Sequence, residues 1–266
     1  MERFSFFRQR IPGVQSEEFS GKLIVIEGAD GVGRSTQIRM LTEWLEARGN
    51  AVLVSRMMHS ALAGKGLRRA KKGTTLDRVT MALFYATDFA DRLEHEIIPA
   101  LKAGFVVLTD RYVYTLIARA VVRGIDSNWI GDVYGFALKP NRIFYLRANV
   151  GDLVARVLQE SGFDYWESGM DIHPGTDRFD SFVAYQNRMG LQFDKMAGEY
   201  GFRTIDASRP IDAVFADLRR EIAGILDNTG PESSDSIASS EQSRVGAAVQ
   251  DDSPSVEKPL PCVNGR

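Results

Sequence analysis

The chain has 266 residues, 44% of them hydrophobic and 26% charged, with a formal net charge of -2. That composition suits one globular α/β domain with tails and gives no general pull towards nucleic acid or an anionic membrane. The single cysteine, Cys262, excludes an intrachain disulfide and a Cys-rich zinc site, and no apolar run approaches the roughly 18 to 20 residues that span a bilayer.

The opening stretch mixes Arg3, Arg8 and Arg10 with Phe4, Phe6 and Phe7. It lacks a continuous apolar segment and so does not read as a signal peptide. Residues 1–20 are expected to form a disordered leader, a membrane-touching or partner-binding arm being the alternative. The expected compartment is the cytoplasm.

From residue 21 to 227 two signals alternate. Short aliphatic runs at 23–26, 51–54, 105–108 and 142–146, and a weaker one at 202–205, are too brief for helices. They are nearly continuous in apolar character, as strands covered on both faces should be. Between them lie helix-length segments at 35–47, 76–103, 113–122, 129–138, 151–159, 179–200 and 211–226. In the first of these, Ile38, Leu41, Trp44 and Leu45 recur at helical spacing. Strand–helix alternation with right-handed crossovers predicts a parallel sheet clothed in helices, with ligands beyond the carboxyl ends of the strands. Residues 228–266 are rich in Ser, Pro, Gly and Asp, and no aromatic residue follows Phe215. They are expected to be a disordered tail, because so little apolar surface cannot offset the entropy of ordering.

Directly after the first strand comes Gly28-Ala29-Asp30-Gly31-Val32-Gly33-Arg34-Ser35-Thr36, followed by a helix. Gly28 and Gly33 have the spacing of a phosphate-binding loop, in which inward-turned N–H groups and the positive end of a helix hold phosphate oxygens. Ser35 stands where a hydroxyl ligates Mg²⁺. The strict motif has Lys at the position of Arg34, and a planar guanidinium is a wider group than an ammonium. Positive charge is kept, so the loop either catalyses weakly or has adjusted to the larger side chain.

These residues resemble the opening signature of the thymidylate kinase family, which is also matched by Asp110-Arg111-Tyr112 after the third strand. Leu83-Phe84-Tyr85-Ala86-Thr87-Asp88 upstream, and Asp177-Arg178-Phe179-Asp180 after the lid, follow the same family. The likeness runs from about residue 22 to 226. It implies a P-loop fold, a five-stranded parallel sheet in the order two-three-one-four-five with a lid segment, working as a homodimer with no nucleic-acid or membrane partner. It further implies transfer of the ATP γ-phosphoryl to a nucleoside monophosphate, dTMP or a related pyrimidine nucleotide.

By position, residues 28–36 would hold ATP, and Ser35 and Asp110 would organise Mg²⁺. Arg34, Asp110 and Arg111 would be catalytic. Asp30, Arg56, Tyr85, Arg111 and Thr115 would contact the acceptor, Arg111 its phosphate and Tyr85 its base.

Several positions depart from the family. Ser55-Arg56-Met57-Met58-His59-Ser60 replaces an Arg-Glu-Pro-Gly-Gly-like loop, and Phe89 stands where an arginine associated with the thymine ring is expected. Thr115, Leu116 and Ile117-Ala118-Arg119 replace small-polar and Ala-Tyr-Gln positions. From 162 to 177 the lid has no Lys or Arg but carries Asp164, Glu167, Asp171 and His173, the last two being either a metal fragment or part of an exposed loop. Lys65, Arg68, Arg69, Lys71 and Lys72, with glycines between them, form a basic cluster that is either a solvated loop or a polyanion contact. Two alternatives to the kinase reading therefore stay open: a catalytically weak nucleotide-binding relative, and a kinase with another small acceptor.

Overall fold

The computed structural model describes residues 4–11, 14, 19–73, 76–160 and 162–227. The tail expectation for 228–266 lies outside the described residues. Five parallel strands, β1 (Lys22–Gly28), β2 (Val52–Arg56), β3 (Val106–Asp110), β4 (Arg142–Arg147) and β5 (Arg203–Asp206), form one sheet in the order β2-β3-β1-β4-β5. The central strand β1 is buried along its whole length, in keeping with its continuously apolar run from Leu23 to Ile26.

Alternate residues of β1 face opposite cores. Leu23 and Val25 pack with the helices α3 (Arg78–Arg92), α5 (Val113–Val122) and α8 (Arg178–Tyr200). Ile24 and Ile26 pack on the other face with α1 (Arg34–Ala47) and α9 (Ile211–Asp227). Crossovers carry the chain from β1 through α1 to β2, then to β3, whose register sets Arg56 opposite Asp110 and Ile26 opposite Asp110 from the other side. The carboxyl ends of β1, β2 and β3 thus converge, and the site lies there.

The expected helix over 76–103 is observed as α3, one π-helical turn (Leu93–Ile97) and α4 (Ile98–Lys102) in unbroken succession. The expected helix over 129–138 is the shorter α6 (Ser127–Val133), capped by Asp126, whose carboxylate accepts from the N–H groups of Asn128 and Trp129. The chain leaves that helix because Leu138 bridges to Phe6 instead.

This overturns the expected disorder of the leader where it is described. Phe4 is buried against Phe19, Phe7 stacks on Tyr200, and Arg8 pairs with Asp132 at 2.6 Å. Aromatic burial offsets the ordering entropy of a segment whose arginines had suggested solvent. The basic cluster is likewise not a loop but α2 (Gly64–Gly73), anchored by fully buried Leu67 and by the carboxylate of Asp88. The remaining helix is α7 (Val150–Glu160).

Candidate functional site

The loop after β1 forms because glycine sits where backbone must turn the wrong way for other residues. Gly28 has φ 151°, and a Cβ there would meet the Leu146 carbonyl oxygen at 2.7 Å. Gly33 has φ 94° and is the N-cap of α1, with no side chain capping the first-turn N–H groups. Those donors and the positive end of α1 are left facing the loop, an arrangement that binds anions.

Arg34 does not reach into that nest in this structure. Its Nε donates to Asp110 Oδ1 at 2.8 Å, and its Nη1 donates to the carbonyls of Gly28 (2.7 Å) and Ala29. The guanidinium therefore fills the space between the loop and β3. Ser35 Oγ lies 3.5 Å from Asp110 Oδ2. A hydroxyl and a carboxylate at that separation are hard oxygen donors, fitting a small divalent cation that keeps waters and phosphate oxygens as its other ligands. Burial raises the Asp110 carboxyl and the adjoining guanidiniums, Arg34 first, more than reverse this, so it stays below the ordinary carboxylate range. Arg56 is exposed and shares a surface hollow with Ser35 and Thr36, whereas Tyr85 lines a different one.

Across the loop, Asp30 gathers arginines. It pairs with Arg111, with Arg119 at 3.2 Å and more loosely with Arg34 at 3.7 Å. Burial opposes its ionised form, yet Arg111, Arg119 and Arg34 together hold its carboxyl well below the usual range. Arg111 itself has φ 69°, a left-handed backbone that costs a residue with a Cβ about 1–2 kcal/mol. Its side chain is fixed by the Gly28 carbonyl at 3.1 Å and by Thr115 Oγ1 at 3.3 Å.

Thr115 is fully buried, and its hydroxyl donates to Glu27. Here its hydroxyl serves Arg111 and Glu27, the two partners that the structure gives it. Glu27, also fully buried, accepts from the N–H groups of Tyr112 (2.9 Å) and Thr115 (3.2 Å). It thereby fixes the turn that presents Asp110 and Arg111.

Beyond Arg119 lies an apolar slot lined by Tyr85, Met81, Leu116, Tyr134 and Trp166. Tyr85 is placed there as its sequence position implies, its O–H 4.0 Å from Met58 Sδ. Phe89 is not part of the slot: it is fully buried among Tyr112, Tyr134 and Phe136. Asp88, on the same turn, pairs with buried Arg92 at 3.1 Å and accepts from the N–H groups of Met58 and Ser60. It shapes the loop after β2.

The lid carboxylates have protein partners. Asp171 pairs with Arg123, Asp164 caps the turn at Trp166 and Glu167, and His173 Nδ1 lies 3.1 Å from Ser181 Oγ. Among the described residues no group of three His, Cys, Asp or Glu is placed to hold a metal ion, and Asp171 and His173 are engaged by Arg123 and Ser181 respectively. Glu167 leans towards the site. Burial first, and repulsion from Asp30 second, push its carboxyl up, while Arg119, Arg111 and Lys71 attract it.

Arg119, Arg123, Lys71 and Glu167 were not singled out as site residues from sequence. One signal was present: Arg111, Thr115, Arg119 and Arg123 recur at every fourth position, a polar stripe along an otherwise apolar helix.

A phosphate-binding loop facing an Asp-Arg pair at the end of a parallel strand describes many phosphotransferases, and comparison with known proteins narrows it. The thymidylate kinase family model matches residues 26–218. The chain is 39% identical over 215 residues to a protein of Saccharolobus solfataricus named probable thymidylate kinase 2, covering 79% of this chain and 99% of that one. The chain belongs to the thymidylate kinase family. A Thermococcus gammatolerans protein named probable thymidylate kinase is 30% identical over 78% of this chain and 96% of its own length. A thymidylate kinase of Brachyspira hyodysenteriae is 31% identical over 61% and 81% respectively. The thymidylate kinase fold accounts for the sheet order and the lid between α7 and α8, and makes the chain an ATP-dependent phosphotransferase.

Proposed function

We propose that this chain transfers the γ-phosphoryl of ATP to thymidine monophosphate or a closely related pyrimidine nucleotide, using Mg²⁺. The observation that carries the reading is the pairing of two cationic groups on either side of one loop. Arg34 with Asp110 and Ser35 stands on the donor side, and Arg111 with Asp30 and Arg119 on the acceptor side. Phosphoryl transfer asks a protein chiefly to align two anions and neutralise charge spread over the moving group.

The main-chain amides of residues 28–36 would seat the β- and γ-phosphates. Ser35 and Asp110 would hold Mg²⁺, which would supply neutralisation of the charge on the phosphates. Arg34 would add positive charge at the donor phosphate from its place between Asp110 and the loop carbonyls. Arg111 and Arg119 would grip the acceptor phosphate, for which planar guanidiniums suit paired oxygens. Asp30 keeps both arginines oriented until the acceptor arrives. Tyr85 and Trp166 would sandwich the base.

The test is a coupled assay with ATP, Mg²⁺ and a panel of nucleoside monophosphates, beside Arg111→Ala and Arg119→Ala. Removing a guanidinium from the reacting phosphate is expected to cut kcat/KM about 100-fold or more. An absence of turnover on every monophosphate, with ATP binding intact, would favour a nucleotide-binding role, for which the engagement of Arg34 with Asp110 is the supporting observation.

The same reading places the working unit in the cytoplasm as a homodimer. Among the described residues no helix is long and apolar enough to cross a membrane. Val79 and Leu83, one turn apart on α3, are exposed and offer an apolar contact for a second copy. Light scattering that gave a monomer mass at micromolar concentration would remove the dimer.

A further inference from the structure

Arg123, at the end of α5, has a guanidinium with no hydrogen-bonding capacity left. Nε donates to Asp171 Oδ2 at 2.8 Å. Nη2 donates to Asp171 Oδ1 at 3.1 Å and to the Trp166 carbonyl at 2.9 Å. Nη1 donates to Tyr185 Oη at 2.7 Å and to the Arg119 carbonyl at 3.3 Å. An arginine has five N–H groups, and all five are used here.

The partners fall on three separate pieces of the molecule: the lid, α8 and α5. The charge lies 4.9 Å from the Tyr185 ring centre and 5.9 Å from that of Trp166, close enough for cation–π attraction to both. Arg123 and Asp171 are each little exposed, at 11% and 12%, so solvent does not weaken the pair much. On the far side of the lid, Trp166 Nε1 donates to the Lys71 carbonyl at 2.7 Å and ties it to α2.

Saturation excludes one role and defines another. Although Arg123 lines the slot beside Tyr85, it has no N–H to offer a bound base. What it does is hold Trp166 down as the slot's wall and Glu167 over Asp30. With the lid so held, Trp166 closes one side of the slot that Tyr85, Met81 and Leu116 line from the other elements.

We infer that Arg123 is a latch: its bidentate pair with Asp171 fastens the lid beside the acceptor slot, opens as the acceptor enters, and closes again on the occupied site. Arg123 is thus a positioning residue, acting through Trp166 and Glu167. The inference rests on the kinase reading for its substrate, but the latch itself is a property of the lid.

Two full-length variants, Arg123→Gln and Asp171→Asn, test it with two readouts. The first is amide hydrogen exchange across residues 162–177 without substrates. The second is steady-state kinetics with the monophosphate and ATP varied separately. Both variants are expected to speed lid exchange while β1 and β3 keep wild-type protection. Both should raise KM for the monophosphate about tenfold, leaving KM for ATP within about twofold, since the lost contacts act on one substrate alone.

Lid exchange and monophosphate KM both at wild-type values would overturn the latch. Global loss of protection in Arg123→Gln passes the decision to Asp171→Asn, which removes charge from the partner and leaves the guanidinium in place. A wild-type chain without turnover would sink the kinase reading, and lid exchange alone would then decide the latch.

Discussion

Arg34 takes the place where a lysine would set one ammonium between two phosphates, and its fork holds Asp110 through one edge and two loop carbonyls through another. A lysine has a single donor centre and cannot span both. Arg34→Lys is therefore expected to lower kcat/KM about tenfold, because the loop and β3 lose the group that spaces them. A rate above wild type in the coupled assay would show instead that arginine impairs this loop. Thr115 makes a second prediction at this scale. Thr115→Val keeps the shape but strips the hydroxyl from buried Glu27, and should lower unfolding free energy by about 1–3 kcal/mol in urea titration. The placement of single residues was legible where a short motif fixes them: the loop glycines, Ser35, Asp110 and Arg111 lie together at the carboxyl ends of β1 and β3, and Tyr85 lines the slot beside them. Thr115, placed by position as a contact to the acceptor, has Arg111 and Glu27 as its partners, the latter 88 residues earlier in the chain. Nothing in the string reveals that Glu27 lies beneath it.

At the scale of elements, α2 shows what pattern reading misses. Gly64, Gly66 and Gly73 among five cations read as loop, since glycine and like charge both disfavour a helix. The helix forms because Leu67 is buried and because Ser60, held by Asp88, accepts from the N–H groups of Ala63 and Gly64 at its start. Those partners are about thirty residues apart in sequence and invisible to any local window. Asp88→Ala should consequently do more than remove one pair. It leaves Arg92 buried without its carboxylate and frees the loop after β2, at a cost of about 3–5 kcal/mol. The measurement is the urea midpoint, with faster amide exchange at Met58 and Ser60; an unchanged midpoint would show that the pair contributes little. The strands, by contrast, were easy to find, since burial on both faces leaves an uninterrupted apolar run.

For the whole molecule, charge placement sets a pH response. The Asp30 carboxyl is depressed by its arginines, so the stability it provides is present above about pH 3.8 and lost as pH falls further. Glu167 is the reverse case. Its folded form keeps a proton that the unfolded chain releases near pH 4.5, so stability declines as pH rises from there towards its raised folded value. Glu167→Gln should thus melt near the wild-type temperature at about pH 4 and above it at pH 8. Melting curves across that range check the sign, and a gap that shrinks with pH would refute it. The sheet order and lid were foreseen at this scale because the family resemblance supplies a whole topology. The docked leader was not, because its partners, Leu138 and Tyr200, come so much later in the chain. That separation has a consequence for synthesis. During synthesis, Phe6 and Phe7 are made long before their seats at Leu138 and Tyr200, which follow at roughly 5–20 residues per second. For several seconds the nascent chain carries an aromatic stretch without its seat, the surface a chaperone would meet.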